Sequence, residues 1–417
     1  MILLKNILLI DHKTFKSEEG DLLIDSANNG AYSFVKSDQL KTKVETVDCS
    51  GMIAMKALAN GHHHAYSTLA RGMPFNFETP RNFLEILERV WWNLDQKLSM
   101  EMNEISAAFT AISSARNGVS SIIDHHSSPK AIGGSLSKMK KIYDTVGINA
   151  LLCYEITDRN SKEEKLDGLL ETSDYLEKND GLVGLHASFT LNEDTLVAAA
   201  KISEETNSGI HIHLAEDKAD QKNCSEKYGK RVMERLSQYG FLDMQKSIFA
   251  HGLHLSENEK NLFAHGKAWM VQNPESNLNN KVGYFNGAHL GERVMLGTDG
   301  MHSNMIRSAQ TAFFTGQNFE NIQMDSIYTR LRNVNQYLEQ NNFDHGNSLM
   351  IMRYESPTPL TDNNFIGHFF FGFENNSIEH LIVNGKWTLK NGKIQNIDED
   401  AVLSESKKLA IHLWKKL

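Results

Sequence analysis

Met52-Ile53-Ala54-Met55-Lys56-Ala57-Leu58-Ala59-Asn60-Gly61-His62-His63-His64 is an apolar run that ends in three consecutive histidines. If 52–65 is a strand or strand end, successive side chains point to opposite faces. His62 and His64 then share one face, and His63 points away. Two imidazoles side by side form half of a metal site. Alone, the run reads equally well as a solvated polar loop, so its meaning depends on what stands elsewhere in the chain.

Outward from that run, strand-like segments alternate with helical ones. Apolar runs at 118–124, 148–153, 184–186, 209–214, 247–251, 268–272 and 293–299 read as strands, and 101–116 and 192–205 read as helices. With the strand before His62 this makes eight units over roughly 250 residues, which predicts a TIM-type (β/α)8 barrel. A doubly wound sheet is the alternative, disfavoured because no glycine-rich phosphate loop follows an early strand.

The predicted strand ends carry polar residues suited to metal or acid–base work. They are His62 and His64, then Asp124-His125-His126, His186, His213 with Glu216, His251, and Asp299. A single strand-end histidine is usually satisfied by a backbone hydrogen bond. So many in one chain are hard to explain that way, and barrel active sites are built from the C-terminal ends of strands.

The two chain ends have a different texture. Short β-like runs at 2–4, 7–10 and 22–24 surround an Asn28-Asn29-Gly30 turn. Near the other end, Asn384-Gly385 and Asn391-Gly392 separate β-rich runs and read as hairpin turns. Both ends are therefore expected to build one small β unit, 1–52 with 365–417, around a barrel at 53–364.

The 417 residues are 40% apolar and 23% charged, with a net charge of -9. No dense basic stretch is present, which argues against a nucleic-acid partner. The apolar run at 7–10 is far too short for a membrane span or a signal peptide. Cys49, Cys153 and Cys224 are scattered without CxxC spacing, as expected of reduced thiols in a cytoplasmic protein.

The segments GHHHAYSTLARGM (61–73), GIHIHLAED (209–217), FAHGLHL (249–255), QNPESNLNN (272–280) and LGTDG (296–300) carry a family resemblance. The chain resembles the amidohydrolase superfamily, in its branch of mononuclear metal-dependent deaminases and chlorohydrolases. DHHSSP (124–129), LCYEITDR (152–159) and PTPLTDNNFIGH (357–368) resemble the aminohydrolases called SsnA-type. The resemblance implies a distorted (β/α)8 barrel with a small β-sandwich formed by both termini.

By that resemblance His62, His64, His213 and Asp299 are the metal ligands. Glu216 is the proton shuttle, His251 bonds the attacking water, and His186 and Arg71 contact substrate. One divalent ion is implied, Zn²⁺ first and Fe²⁺ second, with an activated water completing the site. His211 shares a strand face with His213 and reads as core or as support behind the ligands. Glu155 and Asp158 line the pocket or fix a loop, and Trp91-Trp92 read as core or interface.

Two absences narrow the reading. No lysine stands at the fourth strand end to bridge two metals, which favours one ion. The H-x-E…P-C-x-x-C signature of the other zinc deaminase class is missing as well. Two departures from the family pattern stand out: Lys56-Ala57-Leu58-Ala59-Asn60 replaces the usual Pro-Gly before the first histidines, and the Gly-Ala-x-x-Leu-Gly segment is lacking. The expectation is a hydrolase that deaminates a small amino-substituted nitrogen heterocycle of purine, pterin or triazine type, acting as a homo-oligomer, expected to be a dimer. The same site suits a chlorohydrolase or cyclic amidohydrolase, and a non-catalytic metal-binding barrel is the third alternative.

Overall fold

The run expected as one strand is two strands in the computed structural model, which describes residues 1–40, 43–74, 78–344 and 346–417. Met52–Lys56 pairs antiparallel with Leu349–Arg353 and parallel with Ile2–Ile10. Leu58–His63 (β1) instead pairs parallel with Val119–His126 (β2). The break falls at Ala57. Its N–H donates to the Ser348 carbonyl, and that of Leu58 to the Gly118 carbonyl, each at 2.9 Å. Consecutive amides thus serve different sheets. Both strands are almost wholly buried, so no alternation in the side chains marks the switch. His64 follows β1 with extended backbone, and the shared face of His62 and His64 survives.

β1, β2 and Asn149–Tyr154 (β3) form a three-stranded parallel sheet. Val183–Ala187 (β4), Ile210–Leu214 (β5), Ile248–His251 (β6), Trp269–Gln272 (β7) and Val294–Leu296 (β8) form a five-stranded one. Isolated parallel bridges cross both seams. Leu152 meets Gly181 and Ile156 meets Leu185 on one side, and His63 meets Asp299 on the other. Helices alternate with these strands, among them Met100–Arg116, capped by Ser99, and Glu193–Glu205. The arrangement is TIM-barrel-like. Ala59, Ile123, Leu151, Ile248, Trp269 and Met295 share one apolar cluster, each from the start or middle of its strand. The C-terminal ends are left to polar side chains.

Both chain ends enter one nine-stranded mixed sheet that includes Ile2–Ile10, Met52–Lys56, Leu349–Arg353 and Ile378–Val383. Asn384 and Gly385 (φ 50 and 77) and Asn391 and Gly392 (φ 48 and 68) take the left-handed conformations that tight hairpins require. The C-terminal stretch is not strand throughout. Phe365–Phe371 and Glu399–Trp414 are helices, the latter burying Val402, Leu409 and Leu413 at helical spacing. Among the described residues no helix is long and apolar enough to cross a membrane.

Candidate active site

Histidines from β1, β2, β4, β5 and β6 converge at the C-terminal ends of the strands. His64 and His213 are fixed by the main chain. His64 Nδ1 donates to the carbonyl of His125, and His213 Nδ1 to that of His186, each at 2.7 Å. With Nδ1 protonated, each Nε2 is a bare lone pair. The two Nε2 atoms face each other at 3.0 Å, and Asp299 Oδ1 lies 3.1 Å from that of His64. Two lone pairs at this distance repel unless a proton or a cation lies between them.

His62 completes the group. Its Nε2 is buried without a hydrogen-bond partner, 3.6 Å from Asp299 Oδ1. Its Nδ1 lies 2.8 Å from His211 Nε2, whose other nitrogen lies 3.8 Å from Cys153 Sγ. If His211 donates to the thiol sulfur, His62 donates to His211 and turns a bare Nε2 towards the cluster. Potential ligand atoms of His62, His64 and His213 lie within 4.8 Å of one another, as do those of His62, His251 and Asp299. Three imidazoles and one carboxylate are a donor set that could hold a divalent metal.

The electrostatics agree with that chemistry. Burial, with neighbouring histidines adding, holds His213 well below the ordinary range and His62 at about 4. Burial works to raise Asp299, but the nearness of His62 and His64 outweighs it and holds the carboxyl well below the carboxylate range. His64 is raised despite burial, through Asp299. The cluster draws positive charge to the place where its lone pairs meet. Glu216 behaves oppositely: burial, reinforced by Asp299, pushes it well above the usual value.

The backbone at these strand ends is unusual. Ala215, His251 and Asp299 have φ of 45, 77 and 52. Non-glycine residues rarely adopt this region, and such strain clusters at functional sites. At Gly297 an added Cβ would lie 2.5 Å from Asn273 Oδ1 and 2.9 Å from the His62 Cβ. Glycine is what lets β8 run this close to β1 just before Asp299.

His251 Nε2 faces Glu216 Oε2 at 3.5 Å and Asp299 Oδ2 at 4.0 Å. His186 lines the cavity together with Glu216, His213 and Asp299, and its Nδ1 bonds Thr190 Oγ1 at 2.7 Å. Arg71, expected at the substrate, lies instead in a neighbouring cavity, its guanidinium 5.4 Å from the Phe109 ring centre. His211 stands behind His62, and His125 bonds the carbonyls of Leu185 and His211.

Several cavity residues were undecided or unmarked in the sequence. Trp91 and Trp92, expected in the core or at an interface, form the cavity wall with Phe83, Leu87 and Phe189. The cause is tertiary: the Phe83–Ile86, Leu87–Trp91 and Trp92–Asp95 helical turns lie over the barrel mouth and present aromatic rings to it. Glu155 and Asp158 divide between the two roles left open for them. Glu155 lines the cavity. Asp158 accepts from Asn192 N and Thr195 Oγ1, each at 2.7 Å, and fixes a loop. Asp95 also lines the cavity and is paired with Arg159. Only the aromatic density of 83–92 could have flagged this wall.

The amidohydrolase family model matches residues 53–338. The 5′-deoxyadenosine deaminase of Methanocaldococcus jannaschii is 24% identical over 442 residues, covering 98% of this chain and 99% of that protein. Among solved structures, an adenosine deaminase from Xanthomonas campestris with bound zinc superposes with a TM-score of 0.85 at 17% identity, covering 99% and 98% of the two chains. Atrazine chlorohydrolase from Arthrobacter aurescens, complexed with zinc, gives 0.81 at 16% identity, covering 98% and 100%. These structural likenesses support the TIM-barrel-like α/β fold.

Proposed function

Because this chain belongs to the amidohydrolase family, we propose that it is a metal-dependent aminohydrolase that removes the exocyclic amine from a nitrogen heterocycle. The observation that carries this reading is Glu216, its carboxylate side chain 3.5 Å from His251 Nε2 and beside a three-histidine, one-aspartate cluster in an aromatic-walled cavity. We assign His62, His64, His213 and Asp299 to one divalent metal, zinc before iron. Bound there, the ion acts as a Lewis acid that lowers the pKa of water towards neutrality.

The chain's own groups then move the protons. Glu216, whose carboxyl burial pushes up, donates a proton to the ring nitrogen beside the amine-bearing carbon. That protonation makes the carbon electron-poor enough for attack by water. Glu216 then takes one proton from the water and passes it to the departing amine, the carbon–nitrogen bond breaks, and the second proton of the water returns to Glu216 as the oxygen becomes a carbonyl, which restores the acid. In net balance the ring nitrogen and ammonia each gain one proton. His251 and Asp299 orient the attacking oxygen. His186 and the Trp92 wall hold the flat ring. Arg71 would reach only substituents that extend past Trp91.

The same reading takes the eight parallel strands as a distorted barrel closed at the two bridged seams. It takes the terminal sheet as a small sandwich, built from 1–52 and 365–417 with Met52–Lys56 and Leu349–Arg353 carried into it. A homodimer and a cytoplasmic setting complete the proposal, the latter in keeping with three buried free thiols. The experiment is a screen of 5′-substituted adenosines, guanine, pterins and aminotriazines that follows ammonia and ultraviolet change together. Turnover of a chlorinated or cyclic-amide substrate, with no ammonia from any amine, would move the assignment to that chemistry.

A further inference from the structure

The short helix Pro274–Asn280 sends three consecutive buried side chains to three different targets. Glu275 pairs with His302 Nε2 at 2.7 Å and Arg307 Nε at 2.6 Å, and so ties down the segment after Asp299. Ser276 Oγ donates to Asp299 Oδ2 at 2.6 Å. Asn277 Nδ2 lies 2.8 Å from His251 Nδ1. Successive residues on a helix point about 100° apart, so one turn can address three directions.

We infer that Asn277 is a positioning residue that fixes the tautomer of His251, and that Ser276 fixes which oxygen of Asp299 meets the histidines. An amide NH₂ can donate only to a ring nitrogen that carries a lone pair. Nδ1 of His251 is then bare, and the proton of the neutral ring sits on Nε2. The surroundings favour the same tautomer independently. Nε2 has no hydrogen-bond partner and lies 4.0 Å from Oδ2 of the Asp299 carboxylate. A lone pair turned towards that oxygen would be repelled, whereas an N–H is attracted. The inference rests on the deaminase reading for what His251 does, since an Nε2–H can donate to the negative charge that develops on the attacking oxygen, whereas a lone pair could only accept from the water. It does not rest on that reading for the state of the ring.

Ser276 acts on the partner group. By occupying Oδ2 it leaves Oδ1 of Asp299 turned to His64 Nε2 at 3.1 Å and His62 Nε2 at 3.6 Å. Hydrogen bonds of this kind hold a ligating group in the orientation a metal needs.

The test is a long-range proton–nitrogen correlation spectrum of the full chain, purified with its metal and labelled with ¹⁵N-histidine. The His251 signals are identified by their loss in His251→Gln. The expected pattern for His251 is a protonated Nε2 and a bare Nδ1. Asn277→Asp places an accepting carboxylate against the ring, and should move the proton to Nδ1. It should also lower kcat by ~10²–10⁴-fold with little change in KM, as expected for a wrong tautomer. A protonated Nδ1 in the wild type overturns the inference, and so does an unchanged pattern in Asn277→Asp. The wild-type pattern needs only the His251→Gln assignment, so a misfolded Asn277→Asp leaves the test standing. Ser276→Ala should weaken metal binding by roughly 10- to 100-fold in chelator competition, and Ser276→Thr should restore it. Unchanged affinity in Ser276→Ala overturns that half. If no amine yields ammonia while the ring pattern holds, the deaminase reading has failed and this inference has not.

Discussion

At the histidine end of the cavity, main-chain carbonyls hold the side chains. His64 and His213 are anchored by the carbonyls of His125 and His186. At the Trp92 wall, side chains hold one another instead. Arg159 pairs with Asp95, approaches Glu155 Oε1 at 3.5 Å, and lies 5.1 Å from the Trp92 ring centre. Ser127 Oγ donates to Asp95 at 3.1 Å. The first arrangement is fixed once the strand register is fixed. The second exists only if Asp95 meets Glu155 and Arg159, which stand together on a segment far along the chain. The histidine end should therefore fail by losing its ligand atoms, and the wall by losing its charge balance.

The largest effect is expected at the histidine end. His213→Ala should remove most of the bound metal and leave only background turnover, because His213 Nε2 lies where the lone pairs meet. Elemental analysis checks this, and wild-type metal content in the variant would strike His213 from the ligand set. Next is Glu216→Gln, which keeps size and one acceptor but cannot shuttle a proton. It should retain metal and lower kcat by ~10²–10⁴-fold. Near-normal kcat on the true substrate would end the proton-shuttle role.

At the wall the expected effects are on folding. Arg159→Met leaves Asp95 and Glu155 buried without their cation. Removing one partner of a buried ion pair typically costs ~3–5 kcal/mol. Denaturant unfolding measures it, and the double variant with Asp95→Asn should recover part of the loss. A single variant as stable as wild type would show that the trio is better hydrated than its burial implies.

The smallest effect is a pH dependence. Burial pushes Glu155 up to about 7, against the pull of Arg159 and with Asp95 adding to the rise. The folded state then holds this proton while the unfolded state, near the ordinary glutamate value of 4.5, has released it. Stability should fall as pH rises from about 4.5 to 7 and level off above. The slope is at most ~1.4 kcal/mol for each pH step of one within that window, before solvent and metal reduce it. Glu155→Gln should remove that slope, matching wild type near pH 4.5 and exceeding it near pH 8. Parallel melting curves for the two proteins across this range would show Glu155 to be already ionised in the fold.

The contrast also accounts for what was legible beforehand. His62, His64, His213, His251 and Asp299 converge in the fold, and the sequence marks them because each ends or follows an apolar strand run and strand ends meet at one face of such a barrel. Glu216 was found because it trails His213 by three residues. Asp95 was not, since nothing near it in the chain shows that Arg159, 64 residues on, will be its partner. Trp91 and Trp92 pack against apolar clusters and line the cavity as well, a double role that the sequence does not show because an aromatic ring reads alike whether it faces a core or a cavity. The division of the 52–65 run between two sheets was invisible for a similar reason: strands buried on both faces carry no alternation to break.

The sequence by itself determined the alternation of strands and helices across the barrel, the Asn-Gly hairpins and the residue types at the strand ends. Local periodicity and turn chemistry act over a few residues, and the chain records them directly. The tertiary structure decided which lone pairs face one another, which carboxyl is pushed up by burial and which is held down. It also decided that Asn277 and Ser276 reach His251 and Asp299. Those outcomes depend on distances of a few ångströms between segments far apart in the chain, and on removal from water, and neither exists until the barrel has formed.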